Sequence, residues 1–247
     1  MYQILWNRFK QGKRTHAYPK APLELPEMYR GLPLIQGSDK GEEAATHCPQ
    51  QAIFSSSIDL GKCIFCGECE QRSNSEFVRF SNCFEMSTNT REELIVSEYR
   101  SIDAKSCLGR KSIRELFGRS FQLRQVSAGG CNACESDINV LNTPFFDLAR
   151  FGVQIVASPR HADGLMITGP VTLNMKHALL KTYNATPAPK LVIAVGSCAI
   201  AGGPFYDSPE VIGGVDELLP VDLFIPGCPP HPMTILSAIV NYLSLHH

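Results

Sequence analysis

From about residue 119 onward the sequence predicts an α/β fold, a parallel sheet with helices on both faces. Three observations lead there. Apolar bursts recur at FQLRQVS, VQIVAS, GLMITG, KLVIAVG and VDLFIPG, and short apolar runs that close on a turn residue read as buried strands. Stretches of helical character lie between them: CESDINVLNTPFFDLARFG, NMKHALLKTYNAT and MTILSAIVNYLSL. Strands that alternate with helices imply a parallel sheet covered on both sides.

The upstream residues divide by composition. Residues 1–36 are polar and punctuated by Pro19, Pro22, Pro26 and Pro33, which break any long helix. Arg8, Lys10, Lys13, Arg14, Lys20 and Arg30 outnumber Glu24 and Glu27 there. This segment reads either as an arm with an amphipathic turn lying on a membrane or a partner, or as a solvated arm along the domain. Residues 37–80 hold the first cysteine group, and residues 81–118 read as a linker with short helices.

Composition removes several function classes. The 23 basic and 24 acidic side chains leave a net charge of −1, so no basic excess exists to displace counterions from nucleic acid. No run reaches the roughly 18 apolar residues of a membrane span. The opening MYQILWNRFKQGKRT lacks an apolar core before a small-residue cleavage site, so no signal peptide is expected. Without an export signal a reducing compartment is expected, and there the CxxC pairs among the ten cysteines are metal ligands more often than disulfides.

Cys48-Pro49 is followed by Cys63-x2-Cys66-x2-Cys69. Three cysteines at this spacing wrap one loop around an iron–sulfur cluster, and a fourth thiolate comes from elsewhere. In bacterial two-cluster ferredoxins the run is C-x2-C-x2-C-x3-C-P, and its last cysteine serves the other cluster. Here Cys48-Pro49 resembles the tail of a first run whose other three positions fall on Ser38, Gly41 and Ala44. The second run keeps Cys63, Cys66 and Cys69 but has Ser73 and Asn74 at its end. All four losses belong to one cluster, and all four survivors belong to the other. One [4Fe–4S] site in a fold with two pseudo-symmetric halves is the expectation. Zinc is the competing reading, although zinc sites favour two separated pairs. His47 reads as a surface neighbour of Cys48.

The second group is Cys131, Cys134, Cys198 and Cys228. Each lies just after a predicted strand, and the carboxyl ends of parallel strands share one edge where ligand sites form. Gly129, Gly130, Gly196 and Gly227 precede these cysteines and permit close backbone approach. Pro229-Pro230 restrains the chain after Cys228. Four cysteines again favour [4Fe–4S] over tetrahedral zinc.

GGCNACE at 129–135, SPRHAD at 158–163, TGPVT at 168–172, GSCAIAGGPF at 196–205 and IPGCPP at 225–230 together carry a resemblance. Residues 119–247 resemble the small-subunit family shared by [NiFe]-hydrogenases and respiratory complex I. The resemblance implies a flavodoxin-like fold that holds one [4Fe–4S] cluster, through Cys131, Cys134, Cys198 and Cys228, against a large catalytic subunit. The complex I subunit has adjacent cysteines at the first ligand position, whereas Cys131-x-x-Cys134 is similar to the hydrogenase pattern. In that pattern a Glu follows the pair near the proton route, and Glu135 holds its place. A carboxylate capping the helix that starts near Asn132 is the other reading. RFKQGKRTHAYP, LPEMYRGLP and the first cysteine group resemble the ferredoxin-like subunit of complex I and of membrane-bound hydrogenases, fused here to the small subunit.

Other residues carry less. Cys83 and Cys107 read as buried small side chains rather than ligands. Arg160, His161 and Asp163 follow a strand on a turn expected at the cluster edge of the sheet, where Arg160 or His161 tunes the cluster or faces the partner, or the residues only stabilise their turn. His177 reads as a helix-face residue, and His246-His247 is too short for a metal site. No phosphate-binding GxGxxG and no nucleophile–base pair occurs, so no catalytic site is expected in this chain alone.

The implied role is that of an electron-transfer subunit with two [4Fe–4S] clusters in an oxidoreductase complex. It would be peripheral, on the cytoplasmic face of the membrane, with a large catalytic subunit and other iron–sulfur and membrane subunits as partners. A formate-hydrogenlyase-type [NiFe]-hydrogenase is the first reading and a complex I-like quinone reductase the second. A zinc-stabilised scaffold is the alternative of another class.

Overall fold

The computed structural model describes residues 2–21, 23–37, 40–103, 107–109, 111–117 and 120–245, with Ser112 described only as part of its helix. Pro22, Ser38, His246 and His247, on which expectations were placed, lie outside the described residues.

The chain opens with α1 (Tyr2–Gln11), in which no residue is buried. Tyr2, Ile4, Leu5, Trp6 and Phe9 are exposed. Next come β1 (Pro33–Ile35), α2 (Gly41–Thr46), β2 (Ile53–Phe54), β3 (Ser57–Asp59), α3 (Glu68–Arg72) and β4 (Val78–Phe80). β1 pairs antiparallel with β4, placing Ile35 opposite Val78, and β2 pairs antiparallel with β3, placing Ile53 opposite Ile58. β5 (Ile95–Ser97) adds to the free side of β3. α2 stops at Thr46 because Cys48-Pro49 follows, and a residue before proline is steered out of the helical region.

The sheet of the second half is fully parallel. Its strands are β6 (Phe121–Ser127), β7 (Val153–Ile155), β8 (Gly164–Thr168), β9 (Leu191–Val195) and β10 (Leu223–Ile225). Their order is β10-β9-β8-β6-β7. Counted from β6 this is the 2-1-3-4-5 order of flavodoxin-like sheets. Every residue of β8 and β9 is buried, as central parallel strands require when both faces are covered. Register is set by Leu123 opposite Gly164 and by Gly164 opposite Leu191.

The crossover helices are α5 (Ala133–Val140), α6 (Leu173–Ala185) and α7 (Ser197–Ala201), and α8 (Pro232–Leu243) follows β10. All twelve residues of α8 are buried. A helix apolar nearly all round belongs inside a core, and the outer cover comes from the upstream segment. There α4 (Lys111–Phe117) packs on α8, and Gly109 N–H donates to Tyr242 O at 2.8 Å. One apolar core joins Phe121, Leu123, Ile193, Ile138, Phe117 and α8. The other joins Leu165, Ile167, Val192, Leu179 and Ile200 to Ile53, Ile58, Leu60, Phe77, Met86 and Leu94. The first half of the chain thus shares a continuous core with one face of the sheet. Residues 81–118, expected as a linker, contribute β5, α4 and a bridge in which Thr88 pairs with Phe224 and covers the β10 edge.

Two expectations need correction. Residues 134–152 are not one helix. α5 ends at Val140, and a separate 3-10 turn covers Leu148–Phe151. Pro144 supplies no amide and disfavours helix before it. Cys83 is exposed, not buried, whereas Cys107 is buried and lies 2.9 Å from Asn89 Oδ1.

The loop ahead of Cys63 is held by a buried ion pair. Arg91 donates to both Asp59 oxygens at 2.7 Å, and Asp59 Oδ1 also accepts from Gly61 N at 2.8 Å. Asp59→Ala leaves the mostly buried guanidinium without its counter-charge. It is expected to lower stability by about 3 kcal/mol, read as a shift of the urea midpoint at unchanged slope.

Candidate functional site

Cys48, Cys63, Cys66 and Cys69 line one cavity. Cys48 enters just after α2, Cys63 and Cys66 from the loop between β3 and α3, and Cys69 from the first turn of α3. Ile53, Ile58, Ile64 and Phe80 complete an apolar wall. Backbone amides aim at two of the sulfurs: Ala52 N lies 3.3 Å from Cys48 Sγ, and Phe65 N lies 3.4 Å from Cys63 Sγ. Burial pushes the Cys63 thiol far up, with the charges of Cys69, Cys48 and Cys66 adding to it and the Phe65 amide opposing. Burial together with Cys66 pushes the Cys69 thiol up to about 11.

The lost positions of the other half show what replaced them. Gly41 and Ala44 are buried, and the Gly41 Cα sits tight against the Ser55 backbone, with no room for any side chain. Ser73 Oγ donates to Cys69 O at 2.7 Å instead of facing a ligand. His47 is exposed at the end of α2.

Cys131, Cys134, Cys198 and Cys228 gather at the carboxyl edge of the sheet. Cys131 and Cys134 follow β6, Cys198 follows β9, and Cys228 follows β10. Their mutual influence places them together. Burial raises the Cys134 thiol strongly, and the charges of Cys198, Glu135, Cys228 and Cys131 raise it further. Burial, then Cys228, Cys131 and Glu135, push Cys198 up to about 12. Burial and Cys131 raise Cys228. Two glycines make the cradle. A Cβ on Gly196, at φ +90°, would stand 2.7 Å from Cys134 Sγ, and one on Gly203, at φ +54°, would stand 2.6 Å from Cys198 Sγ.

Both sets fit an iron–sulfur cluster by their chemistry. Burial raises the thiols of Cys63 and Cys69 in the first set and of Cys134, Cys198 and Cys228 in the second, and a strongly positive centre would hold such groups as thiolates. Among the described residues no three His, Cys, Asp or Glu side chains stand close enough to share one metal ion. The first set lines one shared cavity, where a centre of several irons would take one thiolate each.

Glu135 lies behind the second set, at the switch point between β6 and β8. It is 7% exposed. Its Oε1 accepts from Ser127 Oγ at 2.6 Å and Thr168 Oγ1 at 2.7 Å. Burial works to raise its pKa, but these two hydroxyls and its own backbone amide outweigh that and lower it. The carboxylate therefore reaches across two strand ends rather than serving only as a helix cap. Sequence reasoning did not find Ser127 or Thr168. Their signal was position, since each is the last residue of its strand.

The remaining candidates are placed apart. Asp163 Oδ2 accepts from Gln122 N at 2.7 Å, at the amino edge of the sheet opposite the cysteines. Arg160 and His161 are exposed on a 3-10 turn that packs on α6. His177 is exposed on α6. Cys131 and Cys228 are themselves exposed, and Leu173, Phe205 and Tyr206 are exposed near the same edge.

Residues 131–242 match the family described as NADH ubiquinone oxidoreductase, 20 Kd subunit. A protein named "Probable membrane-bound hydrogenase subunit mbhJ", from Pyrococcus furiosus, is 46% identical over 126 residues, 51% of this chain and 75% of that protein. Formate hydrogenlyase subunit 7 of Escherichia coli is 41% identical over 145 residues, 59% of this chain and 57% of that protein. An NADH-quinone oxidoreductase subunit of Bacteroides thetaiotaomicron is 42% identical over 146 residues, 58% of this chain and 73% of that protein.

Proposed function

The chain belongs to the NADH ubiquinone oxidoreductase 20 Kd subunit family, and on that premise we propose that it is the electron-transfer iron–sulfur subunit of a membrane-associated [NiFe]-hydrogenase complex of the formate-hydrogenlyase type. The observation that carries this reading is the meeting of four cysteines from three strand ends at one partly exposed sheet edge. Cys131, Cys134, Cys198 and Cys228 hold one [4Fe–4S] cluster there. Cys48, Cys63, Cys66 and Cys69 hold a second. Each cluster, when bound, accepts and passes on one electron.

The chain's own residues set the conditions. The first set lines a cavity with an apolar wall, with Cys66 on its exposed side. The second opens toward a large catalytic subunit, and exposed Leu173, Phe205 and Tyr206 are the apolar surface that the partner covers. Glu135, whose Oε1 is held by two donated hydroxyls, is the carboxylate placed for proton transfer on that side. The element order β1-α2-β2-β3-α3-β4, with β1 on β4 and β2 on β3, supports a ferredoxin-like unit of two matched halves. The domains are then an arm at 1–36, that unit at 37–80, the connecting segment at 81–118 and the small-subunit domain at 119–247. Among the described residues no helix is long and apolar enough to cross a membrane. The subunit is peripheral, on the cytoplasmic face, held by other iron–sulfur and membrane subunits.

The Cys131-x-x-Cys134 spacing favours hydrogenase. The similarity to a quinone oxidoreductase subunit keeps a complex I-like module as the second reading. Nickel in the anaerobically purified complex, with hydrogen uptake or evolution, is the expected result. A complex with iron, no nickel and quinone reductase activity would replace the first reading by the second.

A further inference from the structure

We propose that Ser197 is the positioning residue of the electron path between the two cysteine groups. This rests on the reading that both groups hold clusters. Ser197 sits between Gly196 and Cys198 at the start of α7 and is 1% exposed. Its hydroxyl leaves its own unit and donates to Cys63 O at 2.6 Å, with a weaker approach to Gly227 O at 3.2 Å. Its amide donates to Gly227 O at 2.8 Å.

These contacts join ligand to ligand. Cys63 belongs to the first group, Cys198 is the next residue along and belongs to the second, and Gly227 precedes Cys228. One peptide unit, one side chain and one hydrogen bond therefore connect the two groups. Electron tunnelling decays more slowly along bonds and hydrogen bonds than across van der Waals gaps. The interface around the contact is closely packed. A Cβ on Gly61, two residues before Cys63, would stand 2.6 Å from Arg91 Cζ and 2.7 Å from Ile200 Cγ2 of α7. The hydrogen bond spans residues 134 apart in sequence.

The step itself is simple. One electron leaves the first cluster, which is oxidised by one unit, and the same electron reduces the second. No bond forms and no proton moves. A low-potential one-electron donor such as reduced methyl viologen supplies the electron.

The test uses the full chain in its purified complex, as wild type, Ser197→Ala and Ser197→Thr. Freeze-quenched EPR after mixing with reduced viologen follows the reduction of the first cluster and then the second. Redox titration gives both potentials, and magnetic interaction in the fully reduced state reports the distance between clusters. Ser197→Ala is expected to slow reduction of the second cluster several-fold, with potentials and magnetic interaction unchanged, and Ser197→Thr to restore the rate. A wild-type rate in Ser197→Ala overturns the proposal. So does a slower rate that comes with a changed magnetic interaction or changed potentials, which would leave the hydroxyl a packing role only. Wild-type complex with one cluster signal overturns the two-cluster reading, and this inference with it, before any variant is made.

Discussion

Cys198→Ala is expected to abolish electron delivery to the catalytic partner while leaving the first cluster in place. In the proposed second cluster, Cys198 is the one ligand that follows β9. Its removal leaves three thiolates around a centre that requires four. The substitution costs little in the fold, since Cys198 is half-buried on a short helix that alanine suits. Iron should therefore fall by about half, from roughly eight to roughly four atoms per chain. Hydrogen or quinone activity of the complex should be lost, while the EPR signal of the first cluster keeps its shape. Full activity with unchanged iron would show that Cys198 is not a ligand.

Cys63→Ala is expected to have the opposite selectivity and a larger effect on stability. Cys63 packs against the core that runs from the first half into the sheet face. It is also the start of the loop that the Asp59–Arg91 pair holds. Binding of a metal centre to ligands that do not converge in the unfolded chain is itself folding free energy. Loss of the first cluster should thus lower the unfolding temperature of the whole chain, because the two halves share one core. The second cluster should remain visible by EPR and reducible by small viologens. Reduction by the physiological donor should be lost. A variant that keeps both the donor-driven rate and the wild-type melting temperature would contradict the assignment.

The two halves of the chain differ in how much the sequence revealed. Five strand positions were legible because buried parallel strands are short apolar runs closed by Gly or Ser, as in LVIAV before Gly196. The cysteine groups were legible because spacing carries the ligand pattern directly. The break after Val140 was missed because the apolar periodicity continues through Leu141 and Phe145, and only Pro144 marks the stop. Contacts between distant residues left no local trace. Nothing near Ser127 or Thr168 announces that both bond to Glu135. Nothing near Ser197 announces Cys63. The shared core was hidden for the same reason, since Leu60, Phe77 and Leu94 read as ordinary apolar residues until the sheet face they cover is known. Arg160 and Asp163 show the converse. They lie three positions apart in one motif, yet Asp163 lies at the amino edge of the sheet, bonded to Gln122.

The central claim is that one chain carries two four-cysteine iron–sulfur sites. The most direct measurement is iron and acid-labile sulfide per chain in the anaerobically purified complex, after the partner's own metal is subtracted. About eight of each is the result expected for two [4Fe–4S] clusters. About four of each, or zinc in place of iron, would contradict it.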